Sequence, residues 1–123
     1  MRLNHDCIRD ILLYVEENIT YDIESVDVEN LISKFSSKYD KDTINYHIRQ
    51  IGNASLVEKV FYSEDSPKFI SDLTWEGHEY IDNIRDPKVW TKLKASTKNL
   101  ASVSLPILIE KAPDIVKFFL SNP

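Results

Sequence analysis

Glycine and cysteine are the scarcest useful residues in this sequence, and each shortage excludes something. Two glycines and five prolines in 123 residues supply too few tight-turn formers for an all-β sandwich. The single cysteine, Cys7, has no disulfide partner within the chain, which fits a reducing cytoplasm. Apolar runs are short. The stretch Leu105 to Ile109 falls far below the roughly 20 residues of a membrane span, so a soluble protein is expected. The opening MRLNHDCIRDILLYVEENI carries charges through its apolar positions and does not read as a secretory signal. Positive charge is not in excess either. The net charge is −5, which gives no support to sequence-independent nucleic-acid binding.

The chemistry of catalysis is equally thin. His5, His47 and His78 lie far apart, and no paired histidine or cysteine spacing of a metal site is present. His78, Glu79 and Asp82 share a helical pattern but lack the second histidine of a zinc protease. No glycine-rich phosphate loop exists, and Cys7 sits on an apolar face as a small core residue. The expectation is therefore no catalytic residue, no metal, no cofactor and no enzyme activity.

What the sequence does contain is periodicity. Cys7, Ile8, Ile11, Leu12, Val15 and Ile19 recur at helical spacing behind a capping Asn4. TYDIESVD reads as a loop holding at most one short strand. Asp27 caps a second helix with Val28, Leu31, Ile32 and Phe35 on one stripe, and Asp40 caps a third with Ile44, Ile48 and Ile51 inward. LVEKVFY and KFISDL are strand-like on either side of the turn cluster SEDSP, so a β-hairpin with its tip at Ser63 to Pro67 is expected. Thr74 caps a fourth helix, WEGHEYIDNI, and Asp86-Pro87 stops it and starts a fifth, PKVWTKLKASTK. The remainder looks helical but interrupted at Pro106 and Pro113.

That order predicts an α+β, mainly α fold. Specifically, it predicts a winged helix-turn-helix, three helices plus a β-hairpin wing, with additional C-terminal helices. Residues 1–86 would form the winged-helix domain, and residues 87–123 a C-terminal helical extension. The extension is basic, with 6 Lys and 2 acidic residues. Its surplus of apolar residues, between about 100 and 120, would pack on the chain's own core or on a second copy as a homodimer.

The third helix is the sharpest candidate site. Opposite its isoleucines it presents Lys41, Asn45, Tyr46, Arg49 and Gln50, an inventory that suits base edges and phosphates in a major groove. Lys38 and Lys68 would add phosphate contacts. The hairpin tip argues the other way, because Glu64 and Asp65 would repel a phosphate backbone and favour a protein partner. The lysines at 88 and 92, and at 94 and 98, pair at four-residue spacing and suit either a solvated face or an anionic partner.

TINYHIRQIGNASLVE at 43–58 and LTWEGHEYIDNIRDPKVWTKLK at 73–94 resemble a family of uncharacterised proteins from bacteria and their phages, a domain of unknown function. The likeness runs over roughly residues 6–120, with LTWEGHxxIDxIRDxxVW its most specific stretch. TINYHIRQIGNASLVE also resembles the reading helix and first wing strand of winged-helix regulators. There an alanine-glycine pair ends the helix, whereas here it is Ala54-Ser55 with Gly52 upstream. The resemblance implies a winged helix housed in a prophage or mobile element, and it implies no ligand or catalytic residue. Trp75, Tyr80, Ile81, Ile84 and Trp90 are expected core positions, Gly77 a point of close approach, and Arg85 a bridge to Asp82 or Asp86. The expected function is a small DNA-binding regulator; a protein-interaction module on the same scaffold is the alternative, and a ligand pocket between helices 1 and 5 stays open.

Overall fold

A computed structural model of the chain describes residues 1–97 and 103–121. The elements run α1 (His5–Asn18), β1 (Ser25–Asp27), α2 (Val28–Lys34), α3 (Lys41–Asn53), β2 (Val60–Ser63), β3 (Ser66–Ser71), α4 (Trp75–Ile84), α5 (Pro87–Thr97) and α6 (Leu105–Ser121). The architecture is α+β and mainly α, as the periodicity predicts. The chain forms two compact units, Met1–His78 and Glu79–Pro123, divided inside α4.

In the first unit the three predicted caps all work. Asn4, Asp27 and Asp40 accept backbone N–H groups of Cys7, Glu29 and Thr43, satisfying donors that the first helical turn leaves open. Hydrogen bonds from Thr43, side chain first and backbone second, hold the Asp40 carboxyl below its ordinary pKa. Cys7, Ile8, Ile11, Leu12 and Val15 of α1 are buried, as are Ile44, His47, Ile48 and Ile51 of α3. Both helices thus bury one apolar stripe in the core of the unit.

The sheet is antiparallel with strand order β1-β3-β2. The strand glimpsed in TYDIESVD is β1, only three residues long, held by pairing with the far edge of β3. The β2 strand starts later than its apolar run predicts. Leu56 and Val57 are buried, but Val57 makes only an isolated bridge to Leu73. They are apolar because they fill the core, not because they lie in the ladder. Just before them α3 ends in a Schellman turn, with Leu56 N–H donating to Ile51 O and Ser55 N–H to Gly52 O. Ser55 takes the left-handed conformation, φ 59°, that glycine adopts most readily. The hairpin turns on Glu64 and Asp65, both with positive φ, between the paired Ser63 and Ser66.

His47 ties the start of α1 to α3. The Asn4 N–H donates to His47 Nε2 at 2.7 Å, and Nδ1 lies 2.8 Å from Thr43 O. One ring nitrogen must accept and the other donate, so the ring is neutral with its proton on Nδ1. Burial holds its pKa below the ordinary value of about 6.5. The unfolded chain therefore binds a proton that the folded chain refuses. Stability is full above about pH 6.5 and falls as the pH drops toward the lowered folded value. Melting temperatures of wild type and His47→Gln between pH 7.5 and 5.5 check this. The wild type should lose more over that interval; equal slopes would remove His47 as the cause.

In the second unit α5 and α6 pack together. Val89, Trp90 and Leu93 are buried on α5, and Leu105, Leu108 and Ala112 on α6. Contrary to the expected interruption, α6 is one helix from Leu105 to Ser121, with Pro113 inside it. Pro106 falls in the first turn, where its missing N–H costs nothing. The helix continues past Pro113 because Leu108, Ala112, Ile115, Val116 and Phe119 form one stripe that needs a common axis. Ile107, Phe118 and Leu120 stay exposed. Lys92 Nζ sits 5.0 Å from the centre of the Phe118 ring. Lys98 and the start of the 100–120 self-association segment lie outside the described residues.

Tyr80, Ile81, Ile84 and Trp90 are buried as expected, but Trp75 is 82% exposed. The buried positions of α4 are Gly77, Tyr80, Ile81 and Ile84, and Trp75 lies two residues before Gly77, on the opposite side of the helix. Arg85 Nη2 does bridge to Asp82 Oδ1, at 3.0 Å.

Candidate functional site

The outward side of α3 and the β2–β3 hairpin border a cleft of about 200 Å³. Lys41 and Asn45 line it from α3; Val28, Glu29 and Ile32 from α2; Lys68 and the hairpin residues close it. Lys41, Asn45 and Arg49 follow one another at four-residue spacing, so they form a single stripe beside the hairpin. Arg49 Nη2 reaches the Asp65 carbonyl at the hairpin tip, at 3.4 Å. Asn45 Oδ1 is buried and has no hydrogen-bond partner among the described residues.

The other predicted site residues are engaged elsewhere. Lys38 Nζ donates to Asp10 Oδ2 at 2.8 Å, an oxygen that also accepts from Tyr39 Oη at 2.7 Å. Burial, and then this hydrogen bond, raise the Tyr39 pKa. Lys38 therefore serves the join between α1 and the turn before α3. Tyr46 donates its hydroxyl to the Met1 carbonyl at 3.0 Å and packs edge-on to His47, so its ring braces the chain start. Gln50 is half-buried and lies farther round the helix than Arg49. Lys68 faces Glu29 Oε1 at 3.5 Å.

Of the seven predicted residues, Lys41, Asn45 and Lys68 line one cleft and Arg49 stands beside it; Lys38, Tyr46 and Gln50 do not join them. The α2 contribution, Glu29 above all, was invisible in the sequence, because no local pattern announces which neighbouring helix will face a stripe. The charge of the assembled face follows directly. Lys41, Arg49 and Lys68 meet Glu29, Asp42, Glu64 and Asp65, three cations against four carboxylates. The whole first unit carries eight basic and fifteen acidic side chains.

Cys7 is fully buried, and burial, with a smaller push from Asp10, raises its thiol pKa to about 12. The thiolate required of a nucleophile is suppressed there. Among the described residues no group of three or more His, Cys, Asp or Glu is placed to hold a metal ion. Nor is any described helix long and apolar enough to cross a membrane.

Residues 2–104 match the family described as "Hypothetical protein (DUF2513)". The chain belongs to this family. A relative in Haemophilus influenzae, described as an uncharacterized protein, is 32% identical over 124 residues, covering 99% of this chain and 98% of its own length. The resemblance read from the sequence is thus to a family whose function is not assigned. No solved structure matches the chain significantly.

Proposed function

We propose that the first unit is a winged helix and that the chain works as a non-catalytic protein-interaction module, docking a partner protein through α3 and the hairpin tip. The observation that carries this reading is the charge of that face. Three cations against four carboxylates leave no positive surplus to meet a phosphate backbone, and Lys68 already faces Glu29. Glu64 and Asp65 stand at the hairpin tip, where a DNA-binding wing would present lysine or arginine. Charge complementarity of this sign favours association with a basic protein surface and discourages DNA.

One observation favours a second reading, a sequence-specific DNA-binding regulator of a prophage or mobile element. Lys41, Asn45 and Arg49 lie on one stripe of α3, and asparagine and arginine are the side chains that read adenine and guanine edges. The two readings separate on one experiment: binding of a fluorescent random DNA pool, and of the gene's own upstream region, at two salt concentrations, with Arg49→Ala alongside. The protein-partner reading expects no saturable DNA binding even at low salt. Three phosphate contacts would instead weaken about forty-fold over a four-fold rise in salt. Binding of that kind, lost on Arg49→Ala, would overturn the first reading and establish the second.

A further inference from the structure

We propose that the outer face of the three-stranded sheet is a separate binding surface, and that it takes an extended, lysine- or arginine-bearing segment of another protein. The inference holds whichever partner meets α3, because it rests on different residues.

Ile70 of β3 is fully buried between Val26 and Val60, so its neighbour Phe69 points to the opposite face. There Phe69 pairs across the strands with Phe61 of β2, and both rings are 41% exposed. Phe61 lines a cleft of about 480 Å³ together with Tyr21, which is 98% exposed. Tyr21 does not dangle. Its turn is closed twice, by Thr20 N–H to Ile23 O and by Ile23 N–H to Thr20 Oγ1, both at 3.1 Å. Three aromatic rings on a paired sheet and a closed turn form an exposed apolar surface of the kind that marks an interaction site.

The rim selects the occupant. Glu24, Glu58 and Asp72 line the same cleft as Tyr21 and Phe61. Carboxylates beside the exposed Tyr21 ring complement a guanidinium or ammonium group, which is attracted by both. The chain itself demonstrates the attraction, since Lys59 Nζ rests 4.8 Å from the centre of the Phe61 ring. An anionic segment would meet three carboxylates instead. An extended segment suits a cleft that runs over all three strands, from Ser25 of β1 past Ser71 of β3 to Phe61 of β2, and its side chains alternate toward and away from the sheet. Apolar residues would then cover Phe61 and Phe69 while cations reach the acidic rim.

The test is fluorescence anisotropy of a labelled peptide of alternating arginine and valine against the full chain, with a glutamate-valine peptide as counter-probe. The arginine peptide should bind saturably, and the glutamate peptide should not. Tyr21→Ala should weaken binding about five-fold, in keeping with the loss of one cation–π contact and its apolar area. Glu24→Gln with Glu58→Gln should weaken it further, while Glu110→Gln with Asp114→Asn, exposed on α6, should leave it unchanged. Far-UV circular dichroism checks that each variant is folded; Tyr21, Glu24 and Glu58 are all exposed, so no loss of fold is expected. Two results would overturn the proposal. One is absence of saturable binding. The other is binding that Tyr21→Ala leaves intact, which would reduce it to general attraction toward an acidic chain.

Discussion

Gly77→Ala should destabilise the protein by at least about 3 kcal/mol, although helix propensity alone predicts a gain of about 1 kcal/mol. The two effects have opposite signs, and geometry decides between them. A Cβ on Gly77 would lie 2.0 Å from the Leu56 carbonyl oxygen and 3.3 Å from Leu73 Cβ. The first contact is with backbone, so no side-chain rotation relieves it. Making room means separating the start of α4 from the turn after α3, and that turn is held by several bonds. Thr74 N–H donates to Leu56 O at 3.0 Å, and Thr74 Oγ1 donates to Ser55 O at 2.7 Å. The same Thr74 oxygen accepts the Gly77 N–H, capping the helix. A shift of an ångström or more would break this set. Urea unfolding of the variant measures the outcome. A midpoint at or above that of the wild type would show that α4 does not approach residues 55–56 so closely.

Ile70→Ala is the second large effect. Ile70 is fully buried on the central strand and pairs with Val26 on one side and Val60 on the other. Truncation removes three carbons from a fully buried position with a strand neighbour on each side. A loss of about 2–5 kcal/mol is expected, a large part of the 5–15 kcal/mol typical of a whole domain. Phe69→Ala, one residue away on the outer face, is the control and should cost well under half as much. Similar midpoints for the two variants in urea would contradict the assignment of inner and outer faces.

Both arguments turn on contacts between segments distant in sequence. The caps at Asn4, Asp27 and Asp40 were legible because capping is a local bargain between one side chain and the next few N–H groups. The stripes of α1 and α3 were legible because helical spacing alone places Ile8, Ile11, Ile44 and Ile48 inward. The hairpin tip could be read from SEDSP, and Gly77 from its isolation within a helical pattern. In contrast, β1 could hardly be read. Three residues carry no periodicity, and their strand form exists only because β3 has a second edge to pair. Trp75 misled because a large aromatic is ordinarily a core residue, and its place on the wrong side of α4 shows only once the buried side is known. Pro113 misled because the stripe shared with α5 outweighs the local cost of a proline.

The candidate site divides along the same line. Residue types on α3 were visible, so Lys41, Asn45 and Arg49 could be named in advance as one group on its polar side. Their electrostatic company was not. Asp10 lies 28 residues before Lys38, and Glu29 lies 39 residues before Lys68, so no local pattern pairs them. The exposed rings of Tyr21, Phe61 and Phe69 likewise come from a turn and two strands. By itself the sequence determined the helices, their caps, the hairpin and membership in a family, because these depend on neighbours within a few residues or on the order of elements. Tertiary structure alone decided the charge of the α3 face, the exposure of the aromatic rings and which residues press against Gly77, because each is set by which distant segments the hydrophobic core brings together.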